Sequence, residues 1–312
     1  MMWILWLILS ALMLFIGMCY LSYRVAFYAP DKKQNDIHNI LTGEQYDGYR
    51  EEMLAGIDWL WSQPHENIRM PSRDGLQLTG RYYHRADSAP LVICFHGYRG
   101  NIMRDFCGVA SVLLRSGYNV LLVNERAHMD SEGHTITFGI KERYDCQDWV
   151  QYAVSRFGSQ VSIMLCGISM GAATVLMASG LELPSNVRGI VADCPYSSPK
   201  EIIQKVCKAM KLPVHITYFF LVTGAFLFGH FRLNEITATD AVRKANVPIL
   251  IFHGEDDRFV PGKMSEDIQL VNPHIQRYTF PGAGHGMSYM SDKERYERIL
   301  EQFEQAIFYP QD

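Results

Sequence analysis

The sequence lacks the patterns that mark nucleic-acid binding, a disulfide framework or a metal site. Its 29 Lys and Arg residues against 33 Asp and Glu residues give a net charge of −4, and no basic cluster suits a nucleic-acid partner. Its seven cysteines include no Cys-x-x-Cys pair and are odd in number, so we expect small buried thiols. The set His128, Asp130 and His134 is not expected to bind a metal. We therefore predict neither a metal nor a cofactor.

Charge is also absent from the N-terminus, where Trp3 to Tyr23 is almost wholly apolar. About 20 helical residues are enough to cross the core of a bilayer. No basic residue precedes this run and no Ala-x-Ala site ends it, so a retained single-pass anchor is favoured over a cleaved signal peptide. Aromatic side chains suited to a membrane interface follow at Tyr20, Tyr23, Phe27 and Tyr28.

The charges beside this run predict its orientation. Arg24, Lys32 and Lys33 follow the run, whereas only the α-amino group precedes it. The positive-inside rule therefore places the rest of the chain on the cytoplasmic side of the cell membrane. Next comes a polar segment, residues 31–64, which is predicted to form a stalk or a juxtamembrane helix. An antiparallel strand pair is predicted around Asp74-Gly75, which is a strong turn signal.

One serine lies where strand, turn and helix patterns follow one another. Val161 to Cys166 indicates a buried strand and Ala172 to Ala178 a helix, and Ser169 lies between them, flanked by Gly167 and Gly171. A turn of this kind strains the serine backbone and lifts its hydroxyl above the end of a sheet. The pentad arises by chance in roughly one chain in ten of this length. A nucleophilic role for Ser169 therefore depends on the groups that follow.

A serine nucleophile needs a general base, and the base needs an acid that orients it. The strand-like run Val247 to Phe252 is followed by Glu255, Asp256 and Asp257. A second candidate acid, Asp193, ends the apolar run Gly189 to Ala192. From this pattern alone the choice among the acids stays open.

The base candidate follows a further strand-like run, Ile275 to Phe280, in a loop that carries His285 between Gly284 and Gly286. Open α/β sheets place their sites at the carboxyl ends of the strands. We therefore expect Ser169, one of the acids and His285 to meet at that edge.

Two backbone N–H groups are candidates for an oxyanion hole. Leu91 to Phe95 indicates a buried strand that ends in His96-Gly97-Tyr98. Acyl transfer develops negative charge on a carbonyl oxygen, and backbone donors after the nucleophile and in this loop can stabilise it. We expect the N–H groups of Met170 and Tyr98 to supply this stabilisation.

Taken together, the motifs HGYRGN, GISMG, HGEDDRFVP and GAGHG resemble the α/β-hydrolase superfamily over about residues 65–308. The resemblance is greatest to its membrane-anchored bacterial branch, which is serine aminopeptidase-like or esterase-like. It implies an α/β fold with a mostly parallel central sheet flanked by helices, and it places the acid at Asp257. The segment NERAHMDSEG departs from the usual pattern of that family at Asn124 and Met129, which alters the expected shape of this loop.

We predict a transmembrane anchor at 1–30, the juxtamembrane or stalk segment at 31–64, and a hydrolase domain at 65–312 with a helical cap insertion at about 196–245. The apolar stretch His215 to Phe231 within the insertion has three interpretations. It forms a cap helix over the active site, dips into the membrane interface, or crosses the membrane. A second crossing would put Ser169 on the opposite side of the bilayer from Asp257 and His285, so it is disfavoured.

The predicted function is that of a membrane-anchored serine hydrolase with the triad Ser169, His285 and Asp257. Its expected substrate is a small or lipid-like carboxylic ester or thioester with a hydrophobic acyl group. A serine peptidase of the aminopeptidase-like kind is an alternative within the same chemistry. An alternative of another class is a hydrolase-fold protein that binds without catalysis. The sequence predicts no oligomeric state.

Overall fold

The structure is a computed structural model that describes residues 2–29 and 36–309 of the chain. Eight strands form one sheet in the order β1-β2-β4-β3-β5-β6-β7-β8. The strands are β1 (Glu66–Pro71), β2 (Gln77–Tyr83), β3 (Leu91–Phe95), β4 (Asn119–Asn124), β5 (Ile163–Ile168), β6 (Val187–Asp193), β7 (Ile249–Gly254) and β8 (Gln276–Phe280). β1 and β2 pair antiparallel with their neighbours, and the pairs from β4 to β8 are parallel.

Helices cover both faces of this sheet. They are α1 (Met2–Ala26), α2 (Glu44–Asp47), α3 (Arg50–Ser62), α4 (Ile102–Phe106), α5 (Val109–Arg115), α6 (Glu142–Phe157), α7 (Met170–Ala178), α8 (Pro199–Ala209), α9 (Val214–Gly229), α10 (Ala238–Val242), α11 (Gly262–Val271), α12 (Ser288–Ser291) and α13 (Lys293–Phe308). Buried apolar side chains form one cluster on each face. The first face is covered by α1 and α6–α11, and the second by α2–α5, α12 and α13.

The central strands explain why this sheet is covered on both sides. Strands β3, β4 and β5 are buried along their whole length. Parallel strands with apolar side chains on both faces need helices on both faces to exclude water. Their carboxyl ends lie along one edge of the sheet, and the loops that carry the candidate site residues begin there.

The fold class predicted from the sequence is confirmed. The antiparallel pair predicted around Asp74-Gly75 is β1 and β2, and the predicted strand Leu91–Phe95 coincides with β3. The strand predicted at Val161–Cys166 lies two residues before β5. The predicted strand stops before Gly167 because glycine usually weakens a strand. In the structure Gly167 pairs with Phe95 of β3, so β5 continues to Ile168.

The N-terminal helix α1 is 25 residues long with a mean hydropathy of 2.4 over its most apolar window, so it is long and apolar enough to cross a membrane or to serve as a signal sequence. Within residues 2–29 and 36–309 no other helix meets both conditions. The C-terminal half of α1 packs against α9. A Cβ added at Gly224 of α9 would overlap the carbonyl oxygen of Cys19, so the two backbones are in direct contact.

The segment predicted as a stalk or juxtamembrane helix contains α2 and α3, and both helices pack onto the sheet domain. Tyr46, Met53 and Ile57 in this segment are buried in the second core cluster. Residues 36–62 therefore pack on the sheet domain and do not form an extended stalk. Residues 31–35, and residue 30 at the predicted end of the anchor, lie outside the described part of the chain.

The insertion at 196–245 is helical, as predicted, and contains α8, α9 and α10. The helix α8 begins after Ser198, whose Oγ accepts the N–H of Glu201 as an N-cap, with Pro199 in the first turn. The helix α9 is apolar on all sides and leaves Ile216, Phe219 and other large side chains exposed. The insertion lies on the first face of the sheet, with α1.

Candidate active site

Ser169 lies in the turn between β5 and α7 with φ 55° and ψ −111°. A residue with a side chain adopts this left-handed region only when the surroundings hold it there, because the conformation costs about 1–3 kcal/mol. A Cβ at Gly167 would overlap the carbonyl of Gly171, and a Cβ at Gly171 would overlap the carbonyl of Phe95. The two glycines thus allow strand and helix to approach closely enough to form the turn. The Ser169 N–H donates to the carbonyl of Asp193 at 2.8 Å, which fixes the turn to β6.

The three side chains predicted to act together form one hydrogen-bonded line. His285 Nε2 lies 2.8 Å from Ser169 Oγ, and His285 Nδ1 lies 2.7 Å from Asp257 Oδ2. Ser169 and Asp257 are buried, and His285 is partly buried. With Asp257 accepting the Nδ1 proton, Nε2 is free to accept the serine hydroxyl proton.

Asp257 is held as a carboxylate acceptor by its own loop. Its Oδ1 accepts the N–H groups of Phe259 at 2.8 Å and Val260 at 2.7 Å. Burial by itself raises the pKa of Asp257, but the imidazoles of His253 and His285 and the Val260 N–H together bring that pKa well below its usual range. The group is therefore ionised at neutral pH and can orient His285.

The two N–H groups expected to form an oxyanion hole lie beside Ser169. Met170 is the first residue of α7, where helical N–H groups have no intrahelical acceptor. A Cβ added at Gly97 would lie 3.4 Å from Ser169 Cβ, so the loop that carries Tyr98 passes next to the serine. Among the described residues, neither the Met170 N–H nor the Tyr98 N–H has a hydrogen-bond acceptor. Both donors are therefore available to a substrate oxygen.

A cavity of about 440 Å³ opens at Ser169 and His285. Its lining includes the apolar side chains of Leu41, Met53, Val109, Ile168, Phe259, Met287 and Met290. No described residue of the insertion at 196–245 lines it. The cavity lies toward the second face of the sheet, whereas α9 packs on the first face against α1, so α9 does not cover this cavity. The insertion approaches the cavity through α8, where Lys205 lies over the ring of Phe259, a residue of the cavity lining.

The segment around α2 lines this cavity and also contacts His285. Gln45 Oε1 accepts the N–H of His285 at 3.2 Å, and Tyr46 Oη donates to the carbonyl of His285 at 3.2 Å. A Cβ at Gly284 would overlap Gln45, so the glycine before the histidine makes this approach possible. Sequence reasoning missed Gln45 and Tyr46, because they lie about 240 positions before their partner and carry no local motif.

Residues 90–217 match the sequence profile of the family described as alpha/beta hydrolase fold. The esterase PF2001 of Pyrococcus furiosus has a similar structure, with a TM-score of 0.62 and 24% sequence identity, over 79% of this chain and 92% of that one. The chain therefore has the α/β-hydrolase fold. This agrees with the order β1-β2-β4-β3-β5-β6-β7-β8 and with the turn at Ser169.

One bacterial protein and one vertebrate protein are also similar to this chain in sequence. The uncharacterized protein YqkD of Bacillus subtilis is 25% identical over 240 residues, which are 75% of this chain and 77% of that protein. The lysophosphatidylserine lipase ABHD12 of Xenopus tropicalis is 25% identical over 193 residues, which are 59% of this chain and 47% of that protein. The hydrolase fold therefore recurs among proteins whose names cover esterases and a lipase.

The other candidate acids of the hydrolase occupy different positions. Asp256 is exposed. Asp193 is buried, and its Oδ1 accepts the hydroxyl of Ser288 at 2.8 Å, three residues after His285. Burial raises the pKa of Asp193 to about 6, an effect opposed by the Ser288 hydrogen bond and the nearby imidazoles. Asp193 thus bonds to the loop that carries His285 and not to the imidazole of His285.

One possible set of metal ligands appears only in three dimensions. Ligand atoms of Cys194, Asp257 and His285 lie within 4.8 Å of one another. The facing atoms of Asp257 and His285 are already hydrogen-bonded to each other, and burial raises the pKa of the Cys194 thiol well above its usual value. The arrangement therefore favours a neutral thiol beside the Asp–His pair.

The side chains in and around the loop after β4 bond to other parts of the fold. Arg126 pairs with Asp74 and Asp145 at 2.9 and 2.6 Å. His96 Nδ1 donates to the carbonyl of Gly97 at 2.8 Å. Where the sequence departs from the family pattern, Asn124 Nδ2 donates to Thr79 Oγ1 at 2.8 Å, and Met129 has a φ of 47°.

Proposed function

We propose that this chain is a serine hydrolase that cleaves carboxylic esters or thioesters with a hydrophobic acyl group. The observation that carries the proposal is the line of Ser169, His285 and Asp257 at the mouth of an apolar cavity. Nucleophile, base and orienting acid are all within hydrogen-bond reach, which is the arrangement that serine acyl transfer requires.

In the acylation step His285 Nε2 takes the proton of Ser169 Oγ as the oxygen attacks the substrate carbonyl carbon. Asp257 keeps the Nδ1 proton in place and stabilises the imidazolium that forms. The N–H groups of Met170 and Tyr98 stabilise the negative charge on the carbonyl oxygen, and each such donor typically contributes about 3–4 kcal/mol to transition-state stabilisation. His285 then protonates the leaving alcohol or thiol.

Deacylation repeats the same steps with water as the nucleophile. His285 takes a proton from a water molecule that attacks the acyl carbon, and the same two N–H groups stabilise the second tetrahedral intermediate. Ser169 leaves with the proton returned by His285. Besides the substrate and this water molecule, the steps use only groups of the chain itself.

The lining of the cavity supports a hydrophobic acyl group. Leucine, valine, isoleucine and methionine side chains form its apolar wall. Each buried methylene contributes about 0.8 kcal/mol, which corresponds to about a fourfold gain in kcat/KM when the group is bound in the transition state. Longer acyl chains are therefore preferred until the cavity is filled.

A peptidase that binds a free α-amino group needs an acid near the scissile bond. The three acids of the insertion do not line the cavity, and their carboxylates contact other side chains: Glu201 contacts Ser197, Glu235 contacts Arg143, and Asp240 contacts Thr237. Asp105 and Asp193 do line the cavity, but Asp105 is paired with Arg104 and Asp193 accepts the hydroxyl of Ser288. Among the described residues, each of these acids already has a partner, which favours ester over peptide substrates. A binding protein without catalysis is also less favoured, since none of the required groups is replaced.

We also propose that α1 is a retained membrane anchor and that the hydrolase domain faces the cytoplasm. Support for retention comes from Tyr23 and Phe27, which are buried in the same core cluster as the sheet. Removal of α1 would take these side chains out of the core. Support for the cytoplasmic side comes from the basic residues that follow the apolar run.

The test uses the full chain in detergent micelles and p-nitrophenyl esters of increasing acyl length. Wild type is expected to cleave them, and Ser169→Ala and His285→Ala are each expected to lower kcat/KM by at least about 10⁴-fold. Ser155→Ala, an exposed serine on α6, is the matched control and should not differ from wild type. Turnover of aminoacyl amides but not of esters would favour the peptidase, and undiminished ester cleavage by Ser169→Ala would refute the proposal.

A further inference from the structure

The last turn of α1 ends against the loop between β3 and α4, residues 96–101, which is called the β3–α4 loop below. Tyr98 Oη donates to the carbonyl of Ala26 at 2.8 Å. Arg99 Nη2 donates to the carbonyl of Val25 at 2.9 Å and to that of Tyr28 at 3.3 Å. Carbonyl groups in the last turn of a helix have no intrahelical donors, and a cation there also interacts favourably with the helix dipole. These two side chains therefore cap α1.

Tyr98 has two separate roles in this geometry. The residue lines the cavity at Ser169, while its hydroxyl group bonds to the end of α1. The Tyr98 ring packs against Phe138 with a centroid distance of 5.0 Å, and Phe138 packs against Phe27 at 5.7 Å. Phe27 follows α1 and is fully buried. The position of the tyrosine therefore depends on where α1 ends.

The backbone of the β3–α4 loop is held from the other side as well. The Arg99 N–H donates to His128 Nε2 at 3.0 Å, and His128 Nδ1 donates to the carbonyl of Arg126 at 2.9 Å. Burial keeps the pKa of His128 well below its usual value, so its ring is neutral and Nε2 acts as an acceptor. The Gly97 N–H donates to Asp105 Oδ2 at 2.8 Å.

Arg99 itself has a φ of 50°, in the left-handed region that favours glycine. A loop with such a residue keeps its shape only while its contacts hold it. The contacts to α1 are made by side chains alone, so substitutions can remove them while the Tyr98 N–H group itself remains in the chain.

We propose that Tyr98 and Arg99 are positioning residues. Their side chains bond the β3–α4 loop to the end of α1 and so hold the Tyr98 N–H in place for the oxyanion. The inference rests on the proposed serine-hydrolase function. It makes the N-terminal helix part of the active site as well as an anchor. Oxyanion donors act mainly in the transition state, so a displaced donor lowers kcat more than it changes substrate binding.

The first test is Tyr98→Phe in the full chain in detergent. The substitution removes the hydrogen bond to Ala26, and the aromatic ring and the backbone N–H group are both retained chemically. We expect kcat to fall about three- to tenfold with KM changed less than about twofold. Tyr23→Phe is the matched control, because it removes the 2.7 Å bond between Tyr23 Oη and Thr135 Oγ1, another contact of α1 outside this loop. It should leave kcat unchanged.

The second test is Arg99→Met, which keeps most of the side-chain stem and removes the bonds to the carbonyl of Val25 in α1 and to that of Tyr28 just after it. We expect about a tenfold or larger fall in kcat, with partial recovery in Arg99→Lys. A trifluoromethyl ketone, which forms a tetrahedral adduct, should lose affinity in parallel with kcat/KM across these variants. A purely structural role would lower the melting temperature without this parallel loss.

The outcomes separate this inference from the proposed function. If wild type cleaves esters and both Tyr98→Phe and Arg99→Met retain its kcat, the positioning role is overturned while the hydrolase function stands. If wild type neither cleaves esters nor reacts with a fluorophosphonate, the proposed function fails. Hydrogen exchange then still tests the contact between Tyr98 and α1. The amides of residues 97–100 should exchange faster in Tyr98→Phe than in Tyr23→Phe. Equal exchange in the two variants overturns the inference.

Discussion

Single residues set the geometry of the site through steric limits. Ser169 occupies a left-handed conformation, and the absence of side chains at Gly167 and Gly171 lets β5 and α7 meet at that turn. At the base, Gly284 leaves the space that Gln45 fills beside His285. Each of these glycines has a backbone or side-chain atom where a Cβ would be. The reactive groups are thus positioned by residues that take no part in the chemistry.

A residue-scale prediction concerns Gln45, which accepts the N–H of His285 at 3.2 Å. In Gln45→Ala this N–H loses its acceptor, and the loop of the base gains freedom. A hydrogen bond of this kind contributes about 0.5–1.5 kcal/mol, so we expect kcat for a p-nitrophenyl ester to fall about three- to tenfold. The measurement is steady-state kinetics on the full chain.

The matched variant is Gln45→Glu, which keeps an acceptor oxygen at the same position. It should retain more activity than Gln45→Ala, because the bond to the His285 N–H persists. Equal activity of Gln45→Ala and wild type, with the fold intact by circular dichroism, would mean that the contact does not position the base.

The sequence was sufficient to select Ser169 and His285 because each lies between glycines just after a strand-like run. Asp257 was selected from its place in a family motif, since Asp256 is adjacent and the local pattern does not distinguish them. Gln45, Tyr46 and Asp105 could not be found in this way. Their contacts depend on how distant segments pack, and no short-range pattern encodes that packing.

At the scale of secondary-structure elements, the order of strands and helices followed from hydrophobic patterning, but the surface on which α9 packs did not. The helix α9 is apolar on all sides, so its sequence has no polar face to show which side meets water. It could equally have covered the active site. In the structure it lies along α1 instead, and the segment with α2 lines the cavity.

An element-scale prediction tests whether α1 is an integral part of the fold. Gly224→Ala puts a Cβ against the carbonyl of Cys19 in α1 and is expected to destabilise the full chain by about 1–3 kcal/mol through overpacking. Gly17→Ala adds a methyl group where no atom lies within 4 Å, and it should leave stability unchanged or slightly raised. Thermal unfolding in detergent measures both.

If both variants unfold at the wild-type temperature, the packing of α1 on α9 does not contribute to stability. The same preparation also tests retention of the anchor. Mass spectrometry of the chain purified from membranes should detect peptides from residues 2–26. A soluble mature chain that begins after α1 would show instead that the helix is a cleaved signal.

At the scale of the whole molecule, residues 2–29 and 36–62 pack with the sheet domain as one unit around the site. The end of α1 bonds to the β3–α4 loop through Tyr98 and Arg99, and α2 bonds to both sides of the His285 backbone. The three segments expected from the sequence, which are the anchor, the stalk and the domain, therefore all contribute contacts at the site. Assays need the full chain, because truncation before the sheet domain would remove part of the site.

The central claim is that Ser169 is the nucleophile of a serine hydrolase. The most direct measurement is to react the full chain with an alkyl fluorophosphonate, digest it and locate the phosphonylated residue by mass spectrometry. The account predicts one adduct, on Ser169, absent in Ser169→Ala and formed at least 100-fold more slowly, as an order-of-magnitude expectation, in His285→Ala. An unmodified Ser169 in a preparation that cleaves esters, or an adduct on another residue that abolishes cleavage, would contradict it.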